Sequence, residues 1–257
     1  MNKLLALIFT LLLFETQVKA QAAGPEFDTA QFAKRMEFAS WLIDYEYVTQ
    51  LGSEKFIHQP EKNVPVWFSY NQDKTWFIVG GHGDNEVFNI IHHLQTDSLP
   101  DVTEYKGSFD TSAIKSTGIA LIHAEKQFQL IRDTSNLFYN SFAFVNPDQT
   151  ISIWYLPALQ PSGQAVYGCE WEYIFDKSGV KLIRLNSVIT KTTGVWIGQP
   201  RELWLNFRNT DTPTVGSIFF ALSFRDFFTR LRIDTRTSTS TTTLDNNGNY
   251  TWNHKMK

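Results

Sequence analysis

Glu170 and Glu172 stand two residues apart in CEWEYIF. On a strand that spacing puts both carboxyl groups on one face, roughly 6.5 to 7 Å apart. Inverting glycosidases use carboxyl pairs at about that separation, one acid protonating the leaving group while the other activates water. A hydrolase acting on an envelope or extracellular polymer is therefore one reading of this chain. Strand pairing offers a structural reading of the same pair. If Asp176-Lys177-Ser178-Gly179 makes a three-residue turn with its glycine in the left-handed conformation, Asp176 pairs with Val180. Trp171 then faces Leu185 and Tyr173 faces Ile183, while Glu172 faces Arg184 and Glu170 faces Asn186. Sliding by one residue would set Glu172 against Ile183 and Trp171 against Arg184, so the hydrophobic pattern selects the first register. In it both acids have partners on a solvated face, and the structural reading is preferred.

The strand LWLNFRN carries a candidate binding face. Leu203, Leu205 and Phe207 alternate with Glu202, Trp204, Asn206 and Arg208, so Trp204 stands among polar groups. An aromatic ring beside carboxylate, amide and guanidinium groups can stack on and hydrogen-bond a glycan or a protein ligand. A tryptophan covered by a neighbouring loop has the same sequence.

Other reactive residue types fall short of a site. His82 and Asp84 lie in the glycine-rich GGHGDNE. His92 and His93 are neighbours on a strand and point to opposite faces, His92 with the packed residues and His93 with the exposed ones. A metal site of His82, Asp84 and one of these matches no recognised ligand spacing, so neither metal nor cofactor is expected. Ser112-Ala113-Ile114-Lys115 and Lys191-Thr192-Thr193-Gly194 approach the motifs of penicillin-binding enzymes. The second carries an extra threonine, however, and hairpins run where those enzymes place a helical subdomain. Cys169 reads as a small buried residue. Thr235, Thr237, Thr239, Thr241 and Thr243 read as one face of a long strand, one row where an ice-binding surface needs several. Asn249-Tyr250-Thr251 would be a glycosylation sequon only in a eukaryotic secretory pathway.

Two amphipathic helices and many hairpins would position these residues. Phe32, Met36, Ala39, Ile43 and Tyr47 recur at helical spacing after Asp28, a plausible N-cap. Ile114, Thr117, Leu121, Ala124, Phe128 and Ile131 form a second stripe after Asp110. Elsewhere β-rich runs flank turn residues: VPVWFSY and TWFIVG around 71–74, SFAFV and TISIWYL around 146–149, and a further Asp-x-x-Gly turn at 245–248. The expected fold is α+β, a long curved and mostly antiparallel sheet of successive hairpins packed on two amphipathic helices. No linker, and no internal repeat beyond the hairpins, is visible.

The ends and composition bound the setting. Lys3, an apolar run from Leu4 to Phe14 and the polar ETQVKA follow the order of a signal peptide. That run is too short for a spanning helix of about 20 residues. Cleavage after Ala20 is expected, leaving a single domain over 21–257, exported to the periplasm or beyond. Gln21 stands where a lipoprotein needs cysteine, so no membrane anchor is expected. The formal charge of −3 disfavours a nucleic-acid partner. One cysteine permits no internal disulfide.

The stretch ISIWYLPALQPSGQAVYGCEWEYIFDKSGVKLIRLNSV, with its Leu-Pro-Ala step, aromatic strand, Asp-x-x-Gly turn and Arg-Leu pair, resembles a segment of uncharacterised exported bacterial proteins. DTPTVGSIFFAL and LDNNGNYTW correspond to the closing strands of that pattern. Asn186 stands where the pattern more often carries histidine. The resemblance implies export and a single domain, and no activity. The leading expectation is an exported binding or envelope-associated protein without catalysis, acting through the Trp204 face.

Overall fold

The computed structural model describes residues 26–57, 65–72, 75–84, 86–96, 103–105, 111–132, 136–198, 201–245 and 250–257. The proposed signal segment 1–20, turn residues 73–74 and 246–248, and Asn249 of the sequon lie outside the described residues, as do the side chains of His92 and His93.

Helix α1 (Thr29–Ile57) precedes strands β1 (Val66–Gln72), β2 (Thr75–Gly83), β3 (Phe88–Thr96) and β4 (Thr103–Glu104). Helix α2 (Ser112–Ile131) precedes β5 (Tyr139–Val145), β6 (Ile151–Pro157), β7 (Gln164–Phe175) and β8 (Leu182–Trp196). Then come β9 (Arg201–Phe207), α3 (Val215–Ser223), a 3-10 turn (Arg225–Phe227), β10 (Phe228–Thr235), β11 (Ser238–Leu244) and β12 (Tyr250–Met256). The class is α+β and mostly antiparallel. Among the described residues there are, in place of one long sheet, three of four strands, ordered β1-β2-β3-β4, β5-β6-β7-β8 and β12-β11-β10-β9. The first two repeat one plan, a helix followed by a four-strand meander. The third departs from it, with β9 parallel to β10 across the helix between them.

Helix α1 starts where its cap lies, the Asp28 carboxylate accepting the Gln31 N–H at 2.8 Å. Its buried stripe is Phe32, Ala39, Leu42, Tyr45 and Val48, rotated from the one expected, because Tyr47 is exposed. The cause is a two-part partner: Tyr45 meets Phe142 of the second sheet, and Val48 packs with Ile78 of the first. On the opposite side α2 packs against both sheets as well. Phe128 stacks on Tyr155 with ring centroids 4.0 Å apart, and a methyl at Gly118 would meet the Phe88 ring at 2.4 Å. The glycine is thus the close-approach point of α2 on the first sheet. Ile131, beyond that contact, is exposed.

Strands β1 and β5 are terminal strands of their sheets and run beside each other. The two sheets therefore form one layer split by a seam, with α1 above it and α2 below. Helix α3, expected as a strand, closes the α1 side of the second sheet through Phe219 on Phe142. Thr214 caps it by accepting the Ser217 N–H.

The threonine row is also redistributed. Asp234 pairs with Thr239, so Arg236 and Thr237 make a two-residue hairpin turn where one strand was expected. Thr235 is buried, as are Ser238, Ser240 and Thr242 on the inner face of β11. Only Thr239, Thr241 and Thr243 share its outer face.

Candidate functional site

The acid pair lies elsewhere than its sequence implied. Glu172 pairs with Asn186, Glu170 with Val188, Trp171 with Ser187 and Tyr173 with Leu185, two residues from the predicted register. Arg184 falls opposite Ile174. The turn is longer than predicted: Asp176 N–H donates to Lys181 O at 3.0 Å, and its carboxylate accepts from the Lys181 N–H and the Ser178 hydroxyl. Gly179 takes φ +77 as expected. A shift of two preserves side-chain parity, so Trp171 and Tyr173 still face the core.

Glu170 is buried, contrary to the solvated face expected. Helix α3 covers it, and its two oxygens accept from the Thr214 hydroxyl and the Gly216 N–H at 3.0 Å. A carboxylate at a helix N-terminus complements the orphan N–H groups there. Burial pushes its pKa up to about 7 against those bonds and the Arg35 charge. Arg35 itself donates to Thr212 and to Pro213 O. Glu172 accepts from Ser152 at 3.1 Å and from Asn186 at 2.7 Å. The two acids border a small cavity of about 210 Å³ beside Trp154, with every carboxylate oxygen engaged by the protein.

On the outer face of the third sheet Trp204 is 63% exposed. No loop among the described residues covers it; the Arg232 guanidinium lies 4.8 Å from its ring centroid. Glu202 approaches Arg230 at 3.7 Å. Asn206 accepts the Arg208 N–H in the turn after β9, so Arg208 lies beyond the strand. Arg232 and Lys257 both approach Asp234, at 3.0 and 3.9 Å.

The remaining sequence candidates are separate. His82 is exposed near the end of β2. Asp84 accepts the Glu86 and Val87 N–H groups in the following turn, which hold its pKa low. Among the described residues no group of three acids, histidines or cysteines could hold a metal. Ser112 opens α2, and Lys191 to Gly194 lie in β8. Cys169 is buried, 2.8 Å from the Thr192 hydroxyl.

The concave site is one the sequence reading missed. Where the seam opens, a groove of about 860 Å³ lies between α1, α2, the starts of β1 and β5, and the end of β2. At its inner end the Tyr45 hydroxyl accepts the Ala143 N–H at 3.2 Å and lies close to the Ser69 backbone. Tyr45 thus stitches β5 to β1, and burial pushes its pKa up to about 12. Beyond that stitch the groove is lined by the starts of both strands. Glu46 on α1 is partly buried and accepts from the Asn140 amide; burial raises its pKa. Glu125 on α2 accepts from the Tyr155 hydroxyl at 3.0 Å. Aromatic and aliphatic walls with a few placed polar groups are what small-ligand sites present, and this volume lies within their usual range. Its lining comes from segments far apart in the chain, so no local motif signals it.

No protein-family model matches the chain, and comparison with curated proteins and with solved structures gives no match. No helix among the described residues is long and apolar enough to cross a membrane.

Proposed function

We propose that the protein is an exported binding protein that holds its ligand in the seam groove and catalyses no reaction there. The observation carrying this reading is the groove itself, large enough for a drug-sized ligand or a short chain segment and furnished with Glu46 at its wall. Export is supported by the order of charge, apolar run and polar residues at the N-terminus.

Two features favour binding over hydrolysis. The acid pair that suggested a glycosidase is engaged at every oxygen, with Glu170 serving the N-terminus of α3. Within the groove, Thr49 bonds Ser69 and Tyr45 O and Ser53 donates to Gln50 O. Neither hydroxyl is set against a base as a nucleophile would be.

The test is amide NMR of the chain titrated with a library of small glycans, peptides and metabolites. Shifts clustered at Glu46, Asn140, Ser141 and Glu125 are the expected result, and Ser53→Trp, which fills the groove, abolishes them. Shifts confined to the Trp204 face, or turnover of a glycan centred on Glu170 and Glu172, would overturn the reading.

A further inference from the structure

We infer that the groove takes an extended basic peptide, which adds a strand to β5 at Ser141 and sets its cationic side chains against Glu46 and Glu125. This rests on the groove being the binding site and names the class of ligand.

The backbone of β5 carries the first step. The N–H of Ala143 points away from β6, because it reaches Tyr45 across the seam. In an antiparallel ladder the N–H and C=O of one residue point the same way, and the direction recurs every second residue. Ser141, two residues earlier, therefore directs both groups into the groove that it lines. Ser141 and Ala143 sit at the same parity opposite Tyr155 and Ile153 of β6, so neither group of Ser141 is directed at that strand. An extended chain supplies an acceptor and a donor at the matching spacing, which is how peptides add to sheet edges. A compact small molecule rarely offers both in that geometry.

The split layer supplies the second step. Tyr45 holds the two sheets together at one point, and beyond it the gap runs between sheet edges with a helix on either side. A strand in the gap would lie in the plane of both sheets, its side chains alternating toward α1 and α2. Glu46 faces it from α1 and Glu125 from α2. Two groove residues oppose this charge, His82 and Lys126, and Lys126 is near enough to Asp84 to lower its pKa. Acids thus stand on both walls, and neighbouring basic residues of one strand reach one wall each.

The test uses short acetylated and amidated peptides of about seven residues on the full chain, followed by amide NMR and calorimetry. One alternates valine with lysine pairs, one has glutamate for lysine, one serine for lysine, and one is the lysine peptide with alternate backbone nitrogens methylated. The lysine peptide is expected to shift Ser141 and Glu46 and to bind at least about tenfold more tightly than the glutamate and methylated peptides. Glu46→Gln, its fold checked by the same spectra, weakens the lysine peptide several-fold and leaves the serine peptide unchanged. Equal binding of lysine and glutamate peptides, or indifference to methylation, overturns the inference. If no peptide binds but library compounds shift the groove, the peptide class is wrong and the groove reading stands. If nothing shifts the groove, both fall.

Discussion

The hydroxyl of Tyr45, on a helix, accepts the backbone N–H of Ala143 on the terminal strand of the second sheet, 98 residues later in the chain. The same hydroxyl lies close to the Ser69 backbone on the terminal strand of the first sheet, which helps to lower its pKa. One buried phenol thus spans the seam at the point where the groove begins.

Tyr45→Phe is expected to destabilise the chain by about 1 to 3 kcal/mol, because the ring still fits while a buried N–H loses its acceptor. Urea unfolding of the two proteins measures this. A change below about 0.5 kcal/mol would show that the stitch is not structural.

Glu170 makes stability depend on pH. Its folded pKa of about 7 lies above the ordinary 4.5, so between those values the folded state holds more protons than the unfolded one. The stability that Glu170 contributes is then fully present below about pH 4.5 and is lost as pH rises through 7, by at most about 3 kcal/mol. Glu170→Gln removes this contribution. Unfolding curves from pH 5 to pH 8 should show wild type losing stability relative to the variant; parallel curves would contradict the assignment.

Gly118→Ala tests how closely α2 sits on the first sheet. In an exposed helix the change would stabilise by about 1 kcal/mol. Here the new methyl meets the Phe88 ring at 2.4 Å, and overpacking of this kind costs about 1 to 3 kcal/mol. Loss of thermal stability is expected, and a gain would show that Phe88 yields freely.

Trp204→Ala should change stability by less than about 0.5 kcal/mol, since the ring is mostly exposed and its polar contact is one guanidinium. Denaturant unfolding checks this. A larger loss would mean that the ring is part of the packing of the third sheet.

These residues also mark how far the sequence could be read. Alternation placed Trp171 and Tyr173 in the core, because period two survives a shift of two. It could not choose between registers that share a parity, and the bonds from the Asp176 side chain decided the turn. SIFFALSF reads equally as buried strand or buried helix, since a short apolar run has no diagnostic period. Missing that helix removed the lid from Glu170 and turned a buried cap acceptor into an apparent surface acid. The exposed face at Trp204 was legible as alternation along one strand. The groove was not, because Glu46, Asn140 and Glu125 meet only after two helices close on a seam between two sheets.

Whether the seam groove or the Trp204 face holds the ligand is decided by affinity measured in wild type, Ser53→Trp and Trp204→Ala side by side, using the tightest library or peptide hit. Ser53→Trp is expected to lower affinity by at least about tenfold, while Trp204→Ala leaves it unchanged. The reverse pattern, with Trp204→Ala abolishing binding and Ser53→Trp tolerated, would contradict binding in the groove.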